Sequence, residues 1–222
     1  MFGGSNADIK NHPYVAELLA KSIDDEPFCG GTLIAPQYVL TAVSCLAWLP
    51  FDMHVSLGGQ KNKGRSSRKA EQIRVVETYR HPVFNSTWLP YDVALLKLKK
   101  PSTHKPARLC DADGSDNKPG TMASVFGWGD VSEKGTAETF QSVDVKIISD
   151  DECGKYARNT DFTFCTAGKG FCDGDTGGPL IANGVVVGTC IASMLPGDAG
   201  DCGIDIRCTR ACPTCLTTSP IL

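Results

Sequence analysis

Apolar residues in this chain fall in short runs, with little of the three-to-four spacing that marks a long helix. Phe28–Ile34, Tyr38–Ala42, Met53–Leu57, Ile73–Thr78 and Val93–Leu98 are rich in Val, Ile, Leu and aromatics and are separated by Gly and Pro. Runs of that length and spacing predict the strands of a small antiparallel barrel. Between Pro101 and Pro119 the periodicity dissolves into Pro, Gly, Asp, Asn and Ser, as in a crossing between two barrels. A second series follows: Met122–Phe126, Val143–Ile148, Phe162–Cys165, Pro179–Ile181 and Val185–Ile191. Within it Val143-Asp144-Val145-Lys146-Ile147 alternates, as a strand with one wet face does. One helix start interrupts the series. In Ser149-Asp150-Asp151-Glu152 the Ser and Glu have the spacing at which each side chain takes a free backbone N–H of a first helical turn.

Length and charge narrow the picture only a little. With 222 residues the chain can bury a sizeable core as one domain or two intimate ones. A net charge of −3 argues against a general nucleic-acid binder. Cysteine usage says more. Eleven Cys beside 13 Pro and 23 Gly place the chain in an oxidising compartment, and extracellular secretion is the expectation. No signal peptide precedes the pattern, so a leader is expected to be missing from the sequence. No apolar run approaches the roughly 18 residues of a membrane span. Asn85-Ser86-Thr87 is an N-glycosylation sequon, which makes Asn85 a candidate glycan site.

Three motifs carry the chemistry. Gly170-Phe171-Cys172-Asp173-Gly174-Asp175-Thr176-Gly177-Gly178-Pro179-Leu180 resembles the nucleophile loop of chymotrypsin-like serine proteases, which reads G-D-S-G-G-P. Thr176 stands where that family has its Ser. Thr41-Ala42-Val43-Ser44-Cys45 resembles the family's T-A-A-H-C, with Ser44 in place of the general base. Asp92, in Tyr91-Asp92-Val93-Ala94-Leu95-Leu96, matches the remaining triad position. The resemblance implies an all-β, trypsin-like domain over 1–222, built of two six-stranded Greek-key β-barrels at about 14–106 and 119–215. It also implies an N-terminal arm whose free amine pairs with Asp175. The tail from Leu216 to Leu222 is too short, and too near Pro220, for the family's closing helix, which is expected to be missing.

Read residue by residue, the resemblance implies chemistry that has been lost. A Ser hydroxyl has no basicity near neutrality, so Thr176 has nothing to take its proton. His12, His54, His81 and His104 are expected to be structural or surface residues. The specificity-pocket positions carry over as Gly170, Phe171, Ser193 and Ile206, with Ile191 where a Ser normally holds the Asp. Large apolar groups there would fill the pocket. The resemblance pairs Cys29 with Cys45, Cys153 with Cys165 and Cys172 with Cys202. Cys110, Cys190, Cys208, Cys212 and Cys215 stay open, with Cys110 and Cys212 the favoured further pair.

No cofactor and no metal are expected. The cysteines of the tail lack a second Cys-x-x-Cys or a nearby His, and the loop that supplies Glu ligands to calcium in trypsin-like relatives is basic or neutral here. That loop, Lys61-Asn62-Lys63-Gly64-Arg65-Ser66-Ser67-Arg68-Lys69, carries five positive charges. It is either a solvated turn or an anchor for an acidic protein, through Lys61, Lys63, Arg65, Arg68 and Lys69. A degenerate triad on a secreted, cysteine-rich barrel most resembles the oomycete glucanase inhibitor proteins. The expectation is then a pseudo-protease whose partner is a host plant endo-β-1,3-glucanase, with no nucleic-acid or membrane partner. A weak or unusual serine/threonine endopeptidase is the alternative.

Overall fold

The computed structural model describes residues 1, 3–20, 27–46, 52–61, 70–84, 91–132, 135–153, 163–172, 174–193 and 203–210. After β1 (Ser5–Asn6), six strands close a barrel: β2 (Val15–Leu19), β3 (Cys29–Ala35), β4 (Tyr38–Thr41), β5 (His54–Leu57), β6 (Glu71–Arg80) and β7 (Ala94–Leu98), in the order β2-β3-β4-β7-β6-β5. Alternate residues of these strands fill it. Leu18, Leu33, Val39, Val55, Leu57, Ile73, Leu96 and Leu98 form one buried cluster.

The second half begins with β8 (Met122–Gly127), followed by the ribbon of β9 (Asp130–Ser132) and β10 (Gly135–Thr136) and then β11 (Gln141–Ile147). The short helix α1 (Asp150–Cys153) precedes β12 (Thr163–Phe171), β13 (Pro179–Ala182), β14 (Val185–Ser193) and β15 (Gly203–Arg210). Pairing of β8 with both β11 and β13 closes β8-β11-β12-β15-β14-β13 into a second six-stranded ring, with β1 added outside β11. Its core includes Val125, Val145, Ile147, Phe164, Leu180, Val187 and the side chain of Met1.

A third cluster draws on both rings. Val15, Leu40, Val93 and Leu95 from the first meet Phe126, Trp128, Phe140, Ile181 and Val186 from the second, so the outer faces of the barrels seal against each other. Two strands depart from the sequence pattern, the first because of this seam. Strand β2 is buried at every position, and with both faces covered it cannot alternate. Strand β15 lacks an apolar run, since its sequence is Gly-Ile-Asp-Ile-Arg-Cys-Thr-Arg, and it is held by pairing to β12 and β14. The helix start is as expected: the Glu152 N–H donates to Ser149 Oγ at 3.2 Å.

Disulfides join Cys29 to Cys45 and Cys153 to Cys165. Cys172 is also disulfide-bonded. Cys202, Cys212, Cys215 and the tail where the closing helix was expected to be missing lie outside the described residues. So do Asn85 and Lys63, Arg65, Arg68 and Lys69 of the basic loop. Lys61 is described, exposed and bridged to Thr139 across the two halves. Among the described residues no helix is long and apolar enough to cross a membrane, and no group of three or more His, Cys, Asp or Glu could hold a metal ion.

Candidate functional site

The loop from Cys172 to Pro179 is built around Asp175, which is fully buried. The Met1 ammonium donates to its Oδ2 at 2.9 Å, and the Cys172 N–H donates to the same oxygen at 3.1 Å. The Gly129 N–H donates to Oδ1 at 2.9 Å, and the Met1 amine also donates to the Asp130 carbonyl. Burial pushes the Asp175 carboxyl up to about 6, against the opposing pull of the ammonium and the two N–H donors. The N-terminal arm is therefore docked, and Met1 fits, because its side chain enters the apolar core of the second barrel.

The same loop is clamped to the first barrel. The Gly30 N–H donates to the Thr176 carbonyl at 2.7 Å, and the Gly177 N–H donates to the Cys190 carbonyl at 2.8 Å. Gly177 has φ +87°, and a Cβ there would lie 2.5 Å from the Gly30 carbonyl, so only glycine fits this approach. Among the described residues, the N–H groups of Gly174 and Thr176 donate to no acceptor, which leaves both available to an oxyanion.

After β4, Ser44 opens a single helical turn, Ser44–Leu46, fixed by the Cys29–Cys45 disulfide. Its N–H donates to Asp92 Oδ1 and its hydroxyl donates to Oδ2, both at 2.8 Å. Asp92 has no solvent exposure. Both donors of Ser44 are thus turned toward the carboxylate, where a protease would place an imidazole between carboxylate and nucleophile. Ile191 is buried in the first barrel's cluster with Ala42, Val43 and Cys45, an apolar neighbour in the place of a hydroxyl.

The histidines serve elsewhere. The His12 ring packs on Phe126 at 4.1 Å and its Nδ1 meets the Tyr14 hydroxyl at 3.0 Å; burial lowers its pKa. His81 stacks on Tyr91 at 4.5 Å and its Nδ1 accepts the Val83 N–H at 3.3 Å. His104 lies against Gly58, where a Cβ would strike its ring. His54 sits in β5 with its Nδ1 buried.

Of the four expected pocket positions, backbone register joins two directly. Ser193 pairs with Ile206, and Phe171, which follows Gly170 on β12, pairs with Gly203. Two features were not assigned from sequence. Glu17, in β2, is buried, and its carboxyl is pushed up to about 8 by burial, opposed by a hydrogen bond from Ser56. A Glu inside Val-Ala-Glu-Leu-Leu carries no signal of burial. The other is the contact of Cys190 with Cys208, which cysteine counting left open.

The trypsin family model matches residues 1–213. The chain belongs to the trypsin family. Among relatives of this trypsin-family chain, glucanase inhibitor protein 3 of Phytophthora infestans is 42% identical over 165 residues, 72% of this chain and 63% of that protein. The chain thus spans less than two thirds of that relative's length. A trypsin of Saccharopolyspora erythraea is 34% identical over 196 residues, 84% of this chain and 83% of that protein. The structure of neuropsin, a serine protease expressed in the limbic system of mouse brain, superposes with a TM-score of 0.83 at 25% identity, covering 98% of this chain and 99% of that one. Family membership and the two barrels accord with the expectation from the motifs.

Proposed function

We propose that this chain is a secreted, non-catalytic protease homologue that binds and inhibits a plant endo-β-1,3-glucanase. The observation that carries the loss of catalysis is the Ser44–Asp92 pair, in which the base position holds a hydroxyl and both its donors face the carboxylate. In a triad of this kind, loss of the base or the nucleophile costs roughly 10⁶-fold in kcat, and the losses overlap. The reading of partner rests on relatives that are named glucanase inhibitor proteins. Glycosidases work with paired carboxylates in an open cleft, and the basic loop from Lys61 to Lys69 offers charge of the opposite sign.

The test is laminarin hydrolysis by a plant glucanase with increasing amounts of this protein, at low and high salt. A variant with Lys61, Lys63, Arg65, Arg68 and Lys69 changed to Gln is run in parallel. Inhibition that weakens with salt and in the variant is expected, since steering by exposed charge is screened. Inhibition unchanged by both removes the loop from the account; no inhibition across a panel of glucanases removes the function.

A weak peptidase is the second reading, favoured by the ordered loop and its two oxyanion donors. Against it, a mixed peptide library and serine-directed acylating probes are expected to come back blank. Turnover lost in Thr176→Ala would instead establish the peptidase. Ser44→His with Thr176→Ser returns base and nucleophile but leaves Phe171, Ile191 and Ile206. The expected kcat/KM stays well below about 10⁴ M⁻¹s⁻¹, the lower end for working enzymes; a value above it would mean that the pocket is open.

A further inference from the structure

We propose that Cys190 and Cys208 are joined by a disulfide across β14 and β15 in the secreted protein, a staple behind the loop that carries Thr176. The two residues are direct Cα partners on neighbouring antiparallel strands. Facing residues in such a pair stand about 4.5 or 5.5 Å apart at Cα, and both spacings lie within the range a disulfide spans. Their sulfurs are 3.5 Å apart, with the Cys208 thiol donating to Cys190 Sγ. Bond formation therefore asks for a side-chain rotation and no backbone movement. Both side chains are fully buried, in one cluster with Phe164, Leu180 and Val187.

The position gives the link a consequence. Cys190 N–H donates to the Gly178 carbonyl at 3.0 Å, and the Cys190 carbonyl accepts the Gly177 N–H at 2.8 Å. Residue 190 thus holds the nucleophile loop from behind on both sides. The staple fastens that support to β15, the strand that carries the pocket position Ile206.

The hydrogen bond from Cys208, with burial, raises the Cys190 thiol well above its ordinary value. A buried thiol of that kind reacts slowly in the folded state, so the link forms during folding, while the strands are still accessible. Each thiol gives up its proton and a sulfur–sulfur bond forms. The two electrons released reduce the disulfide of an exchange partner, a protein or small-molecule R–S–S–R, to two thiols.

The sequence makes the link easy to map. Cleavage after Lys and Arg, combined with cleavage before Asp, places Cys190 in a fragment from Asp175 to Gly197 and Cys208 in Cys208-Thr209-Arg210. Cys110, Cys172 and Cys202 fall in other fragments. Protein from a secretory host, purified without reductant, is denatured in iodoacetamide, digested and weighed. The two fragments are expected to run as one linked species, unalkylated, and to separate on reduction. Alkylated Cys208, or Cys208 linked to any other fragment, overturns the proposal. In Cys208→Ala, Cys190 is expected to gain one alkyl group; a Cys190 still protected there is bonded elsewhere, which also overturns it. Should that variant fail to fold, the map of the wild-type chain decides alone.

Discussion

Gly129→Ala is expected to destabilise the protein by about 3–5 kcal/mol, the range for breaking a buried ion pair, which lowers Tm by roughly 6–20 °C at this chain length. A Cβ at residue 129 would lie 2.5 Å from each carboxylate oxygen of Asp175. The carboxylate cannot retreat, because the Met1 ammonium, the Cys172 N–H and the Gly129 N–H hold it from three directions. The extra methyl therefore expels it from its ring of donors and leaves the ammonium buried without its counter-charge. Gly120→Ala provides the comparison: nothing lies within 4 Å of a Cβ there, and φ is +93°. It carries only left-handed strain, about 1–2 kcal/mol. Equal melting of the two variants would contradict this account. A second reading comes from an amine-directed acylating reagent, which should modify Met1 readily in Gly129→Ala and slowly in the parent.

Glu17→Gln is expected to flatten the dependence of stability on pH. The carboxyl is raised from 4.5 to about 8, with burial as the first cause and the Ser56 hydrogen bond opposing it. Its Oε1 has no partner. A raised acid favours the folded state in its protonated form, so its contribution is fully present below about pH 4.5 and is lost as pH rises through about 8. Each unit corresponds to about 1.4 kcal/mol, which puts the alkaline loss at roughly 2–5 kcal/mol. Gln keeps the shape and stays neutral. The variant should match the parent near pH 5 and exceed it above pH 8 in guanidinium titrations. A parent curve that is already flat from pH 5 to 9, or one that Gln leaves unchanged, rules out a neutral buried acid.

Most of the barrel strands were legible because their residues state one local demand each. Val143 to Ile147 alternate since one face of β11 meets the core and the other meets water, and Ser149 with Glu152 marks a helix start of a single turn. The loops around Ser44, Asp92 and Thr176 were legible from motif order. What stayed hidden was set by tertiary contacts. Strand β2 lost its period because the second barrel covers its outer face, and Glu17 reads as a solvent residue until that cover is in place. Strand β15 contains Asp205, Arg207 and Arg210, and only its pairing with β12 and β14 makes it a strand. The facing of Cys190 and Cys208 is a matter of register between strands 18 residues apart, which spacing alone does not fix.

Asp92 is a joint between two segments of the first barrel. In an active triad the carboxylate tunes an imidazole, and its worth is measured in rate. Here its two oxygens receive the N–H and the hydroxyl of Ser44, tying the turn after β4 to the segment that enters β7. Its visible contribution is architectural. Removing it would take the acceptor from the N–H and hydroxyl of half-buried Ser44 and untie the turn after β4 from the segment that enters β7. An imidazole installed at residue 44 keeps the backbone N–H bond to Asp92 Oδ1 and exchanges only the hydroxyl bond to Oδ2, so half of the joint outlives any side chain placed there.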